Sequence, residues 1–123
     1  MAPGDPIPPE RTIYRAIRSK QLNPDKTINE IAFLLKPAHG DYEDETYLSF
    51  GISVEGAKAG LTNIRHVAEI SVADILALGL RVIEDEDAQK VRVSGMPLEK
   101  TDPALARAFA KDLRNKAKLS DSN

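Results

Sequence analysis

Five short runs of β-forming residues, none longer than about seven, recur along the chain and are separated by glycine, proline or capped helical turns. They are Thr12 to Arg18, Tyr47 to Ile52, Ile64 to Ile70, Leu80 to Ile83 and Lys90 to Ser94. Period-2 alternation over such lengths puts one face of each run against a core. No long apolar helix interrupts them, so the runs must pair with one another. The reading is an α+β domain: a single compact sheet of about five strands, with short connecting helices and a longer C-terminal helix.

The helices are marked by their ends. Thr27 and Glu30 stand at capping-box spacing before Ile28, Ile31, Ala32 and Leu35, which predicts a short helix ended by Pro37. Ser53 precedes a second helix with Glu55 in its first turn, Val54, Ala57 and Leu61 facing inward, and Gly60 at its end. Ser71 and Asp74 repeat the capping-box spacing for Val72 to Leu78, closed by Gly79. Asp102 and Pro103 open a long last helix in which Leu105, Phe109 and Leu113 form an apolar stripe. Leu80 to Ile83 and Lys90 to Ser94 flank the acidic connection Glu84 to Asp87 and read as a loose hairpin, broken after the second strand by Gly95-Met96-Pro97.

A chain of 123 residues with 41% hydrophobic and 29% charged residues fits one domain with one core. Trp is absent and aromatics make up 5%, so that core is aliphatic. Residues 1–10 hold Pro3, Pro6, Pro8 and Pro9 and read as a flexible Pro-rich arm. Residues 11–119 form the domain and 120–123 a disordered tail. The N-terminus lacks the basic segment and apolar run of a secretory signal, and nothing approaches the roughly 18 apolar residues of a membrane span; the expectation is a cytoplasmic protein.

Without cysteine, the chain has no disulfide framework, thiolate zinc site or cysteine nucleophile. Its two histidines, His39 and His66, lie far apart, and the carboxylate runs Asp41 to Glu45 and Glu84 to Asp87 lack the ordered ligand spacing and turn glycine of a calcium loop. No metal site is expected. Gly-rich phosphate loops, HExxH and GxSxG are absent as well.

Two polar residues break the apolar alternation. Arg15 shares a face with Ile13 and Ile17, with Arg18 on the opposite one; a guanidinium so placed requires a carboxylate, a carbonyl or a ligand phosphate. The plain account is a strand near a sheet edge with an acidic partner; the other is ligand binding. His66 shares a face with Ile64, Ala68 and Ile70, as a hydrogen-bonded structural residue or as a base.

Net charge is −2, which argues against a surface made to grip nucleic acid throughout. Residues 103 to 118 nevertheless carry five cations against Asp112, a net of +4 that leaves −6 for the rest. Arg107, Lys111, Arg114 and Lys118 read first as a solvated helix face with a basic C-terminal end; as a binding surface they suit an acidic groove of a partner protein or, lacking stacking aromatics nearby, less suitably a phosphate backbone.

Two segments, Ile13-Tyr14-Arg15-Ala16-Ile17 and Thr46-Tyr47-Leu48-Ser49-Phe50-Gly51-Ile52-Ser53, resemble the opening arginine strand and the strand-and-helix step of RES-domain toxins and the wider ADP-ribosyltransferase-like fold. The resemblance implies NAD as ligand, with Arg15 and Ser49 or Ser53 among its contacts. Where that family places a glutamate after the helix, this chain has Gly60 and Leu61. Leu48-Ser49, Ile75 to Val82 and Gly95-Met96-Pro97 are similar to segments of small uncharacterised bacterial proteins, a likeness that brings no activity with it.

The sparse chemistry favours a non-catalytic accessory or protein-interaction module without a cofactor, its partner another protein and self-association left open. The alternative is an NAD-binding transferase or NAD-cleaving toxin.

Overall fold

The structure, a computed structural model, describes residues 3–121, and of Asp121 the backbone alone. It holds one antiparallel sheet of six strands: β1 (Thr12–Ile17), β2 (Tyr47–Gly51), β3 (His66–Ser71), β4 (Arg81–Glu84), β5 (Lys90–Ser94) and β6 (Lys118–Asp121). Their order across the sheet is β4-β5-β2-β1-β3-β6. Three α-helices accompany it, α1 (Val54–Lys58), α2 (Val72–Ala77) and α3 (Pro103–Lys116). No helix among the described residues is long and apolar enough to cross a membrane.

Alternation places the core as expected. Ile13 lies opposite Ile70, Leu48 opposite Val93, Phe50 opposite Val91 and Val82 opposite Val93, and all seven residues are buried. Directly opposed residues in an antiparallel pair share a face, so these cross-strand pairs build one apolar surface. Phe33 stacks on Phe50 with ring centroids 6.4 Å apart, and Ala110 and Leu113 of α3 belong to the same core.

The opposite face carries α1. Side chains of successive strand residues point to opposite sides, so Gly51 looks away from Phe50. A Cβ on Gly51 would lie 2.1 Å from the Ala57 amide nitrogen; only glycine admits α1 at this depth. Ser53 caps α1, its Oγ accepting the Gly56 N–H at 3.0 Å, and Asp102 caps α3 by accepting the Leu105 N–H at 3.1 Å.

Several expectations change. The segment from Thr27 forms only a 3₁₀ turn at Glu30–Phe33, capped by Asn29, because the Thr27 hydroxyl donates to Asp25 at 2.6 Å and its carbonyl accepts the Asn23 N–H. Thr27 is thereby committed to a turn of its own. Ile31 consequently points outward, 39% exposed, while Phe33 takes the core position. Along α3 the buried positions are Ala106, Ala110 and Leu113, whereas Leu105 is 45% exposed: the short alanine side chains let the helix lie close to its support. α1 ends at Lys58, ahead of the expected Gly60, and Leu61 beyond it is likewise exposed. Ser71 makes no side-chain cap, although α2 begins where expected.

The Pro-rich segment is not a free arm. The Ile7 N–H donates to Val82 at 3.0 Å, the Gly4 N–H to Glu84 at 3.0 Å and the Glu84 N–H to Asp5 at 2.8 Å, so residues 4–7 run along the outer side of β4, with Ile7 buried. Prolines suit such an edge because it needs fewer donors than an interior strand. Residues 118–121, expected in part as a disordered tail, pair with β3 as β6. Residues 1–2 and 122–123 of those two expectations lie outside the described residues.

Ile7→Ala is expected to lower unfolding free energy by about 2–3 kcal/mol, the cost of emptying a buried aliphatic site. Chemical denaturation measures it; a change indistinguishable from zero would return the segment to the status of an arm.

Candidate anion-binding site

β1 and β2 are neighbours that barely pair. Six residue pairs join β1 to β3 and five join β2 to β5, but only Tyr14 and Gly51 are paired between β1 and β2. Beyond that point the strands diverge, and the gap is bridged by a side chain. Arg15 Nε donates to the Ala32 carbonyl at 2.7 Å and Nη1 to the Ser49 carbonyl at 2.8 Å, with the guanidinium carbon 5.7 Å from the Phe50 ring centre. Planar and multiply donating, arginine is suited to hold two carbonyls and an aromatic face at once.

Arg15 therefore answers differently from the expectation of an edge strand with an acidic partner. Its strand is interior, and its hydrogen-bond partners are main-chain carbonyls. Burial pushes its pKa down to about 10, with the charge of Glu45 acting in the other direction. The group stays cationic at neutral pH. Because the folded value lies below the ordinary one, the cost of holding the cation is present at neutral pH and is relieved as pH rises through about 10. A bound anion would offset the same cost.

The gap opens as a cavity of about 220 Å³ whose polar lining includes Arg15, Arg18, Lys36, Glu45, Ser49 and Lys90. Ala57 and Ala59 form part of its wall. Four cations face one carboxylate, and that carboxylate is engaged: Glu45 Oε1 accepts the Lys36 amide N–H at 2.7 Å. Among the described residues, no ion pair ties Arg18, Lys36 or Lys90 to a carboxylate. Lys90 opens β5, Arg18 follows the last residue of β1, and Lys36 lies in the irregular segment between the 3₁₀ turn and β2; all three line the cavity.

Of the residues singled out by sequence, Arg15 and Ser49 are brought together at this cavity, while Ser53 and His66 are not among its lining. Ser53 is the α1 cap. His66 is half-buried on β3, opposite Ile17. It shares the Arg15 side of the sheet without opening into the cavity. Arg18, Lys36 and Lys90 escaped the sequence reading because alternation says nothing about residues at strand ends.

The basic C-terminal region is less available than its composition implies. Arg107 hydrogen-bonds Glu99 and lies 3.5 Å from Glu30, and Arg114 lies 3.8 Å from Glu30. The Glu99 hydrogen bond, then Glu30, holds the Arg107 guanidinium above its ordinary pKa. Lys111 is exposed on α3, and Lys118 is not on that helix but at the start of β6. No group of three or more His, Asp or Glu side chains among the described residues is arranged to hold a metal ion.

No protein-family model, curated protein or solved structure matches the chain.

Ser53→Ala is expected to cost about 1 kcal/mol of stability through loss of the α1 cap, with ligand affinity of the cleft within about twofold of the unaltered protein. Thermal unfolding and calorimetric titration with phosphate check the two halves separately. A selective loss of affinity would make Ser53 a ligand contact.

Proposed function

We propose that the chain is a non-catalytic accessory module that binds a small anionic, phosphate-type ligand in the cleft between β1 and β2. The observation that carries the reading is the excess of four cations over one engaged carboxylate in a single concave site. Four like charges gathered around a single carboxylate still repel one another, and a bound anion relieves that repulsion while supplying acceptors for their free N–H groups. At about 220 Å³ the cavity falls below the roughly 300–1,000 Å³ usual for drug-sized ligands, which suits a single anionic group rather than a whole large molecule.

Catalysis is poorly supplied. Proton transfer needs a positioned acid or base, and the one carboxylate present is already an acceptor for the Lys36 amide. A second reading, an NAD-binding transferase or NAD-cleaving toxin, is favoured by one observation: Arg15 and Ser49, the NAD contacts implied by the ADP-ribosyltransferase-like resemblance, line the same cavity. Against it stands the Gly60-Leu61 pair in place of the glutamate.

Inorganic phosphate in roughly tenfold excess over its dissociation constant is expected to raise Tm by about 3–6 °C relative to chloride at equal ionic strength. Arg18→Ala combined with Lys90→Ala should abolish the rise, whereas Lys111→Ala should retain it. Absence of any rise at millimolar to tens of millimolar phosphate overturns the reading. A rise with NAD but not with phosphate, accompanied by release of nicotinamide, would put the transferase in its place.

A further inference from the structure

Arg18 has a second outlook. Besides the cleft it lines a second cavity of about 410 Å³, bounded also by Ser19, Lys20, Thr62, Asn63 and Ile64. That lining holds two cations, two hydroxyls and a carboxamide, and no carboxylate. Asn63 supplies the turn, with φ of +60°, a conformation that asparagine tolerates better than most side chains. The Arg18 main-chain N–H donates to Gln21 Oε1 at 2.8 Å, which anchors the residue's backbone while leaving its guanidinium outside any ion pair among the described residues.

We propose that the two cavities form one composite site for a diphosphate group, with one phosphate among Arg15, Lys36 and Lys90, the next beside Lys20 and Thr62, and Arg18 between them. The inference rests on the anion-binding reading of the cleft and extends it to a ligand class. A guanidinium with five donors in a planar fork is suited to reach oxygens of two successive phosphates at once. The second cavity adds one further cation, Lys20, together with hydroxyl and amide donors, as suits a group whose charge is shared with Arg18.

Calorimetric titration of the full chain with phosphate, pyrophosphate and ADP tests it. Pyrophosphate is expected to bind at least about tenfold more tightly than phosphate, the effect of one or two added charge-assisted hydrogen bonds. Lys20→Ala, an exposed substitution whose unliganded melting curve should match the parent, is expected to remove that advantage while leaving phosphate affinity unchanged; Lys90→Ala should weaken both. ADP binding more tightly than pyrophosphate identifies a nucleotide as the source of the diphosphate, and equal binding identifies the phosphates alone; both support the composite site. Phosphate binding with no pyrophosphate advantage, or a Lys20→Ala loss equal for the two ligands, overturns it while leaving the cleft intact. Failure of all three anions to bind removes the cleft reading as well.

Discussion

A single guanidinium stands where two neighbouring strands fail to pair. Backbone carbonyls removed from water must find donors, and where β1 and β2 diverge the sheet ladder no longer provides them. Arg15 supplies two, to Ala32 and Ser49, and so joins the 3₁₀ turn at Glu30–Phe33 to the middle of the sheet. The position of that turn matters for packing, because Phe33 is among the largest fully buried side chains and stacks on Phe50. A leucine at position 15 would pack on Phe50 but leave the part-buried Ala32 carbonyl without its donor, a cost of order 1–3 kcal/mol, while water would serve the exposed Ser49 carbonyl. The polar residue on the apolar face is thus part of the fold before it is part of any site.

The same constraint creates the cleft. α1 sits close enough to β2 that Gly51 has no room for a side chain, and this contact occurs at the one position where β1 and β2 still pair. On one side of that point the helix seals the sheet; on the other the strands separate and Ala57 and Ala59 border the opening. Small residues on the helix keep the cavity from being filled. Fold and site share one piece of geometry, which is why the residue that stabilises the gap also lines it.

Much of the fold was legible because alternation is a local signal. β5 coincides with its expected bounds, β1 lacks only the expected Arg18, and the caps at Ser53 and Asp102 form as their spacing implies. The failures share a cause. β6 carries only Leu119 as an apolar residue, and residues 4–7 are Pro- and Gly-containing, so neither advertises a strand; both are ordered by an edge contributed from far along the chain. Thr27 had the right spacing for a helix cap, but a competing turn through Asp25 claimed it. At the cleft, Arg15 was visible as an anomaly within a strand. Arg18, Lys36 and Lys90 were invisible because their convergence depends on how three segments distant in sequence meet at one gap.

Charge distribution shows why composition misdirected attention to the last helix. The net +4 of residues 103 to 118 is met in space by acids from elsewhere: Glu30 faces both Arg107 and Arg114, and Glu99 binds Arg107. Those pairs help fasten α3 to the 3₁₀ turn, and exposed ion pairs of this kind add little energy while holding register. The surplus positive charge that counts for binding lies elsewhere, where cations share a concave site and lack such partners. Inside a recess, the surrounding low-dielectric walls concentrate a field that water would screen on an open helix face. A chain of net −2 can therefore carry a local positive field at the gap between β1 and β2 while acids prevail over the rest of its sequence.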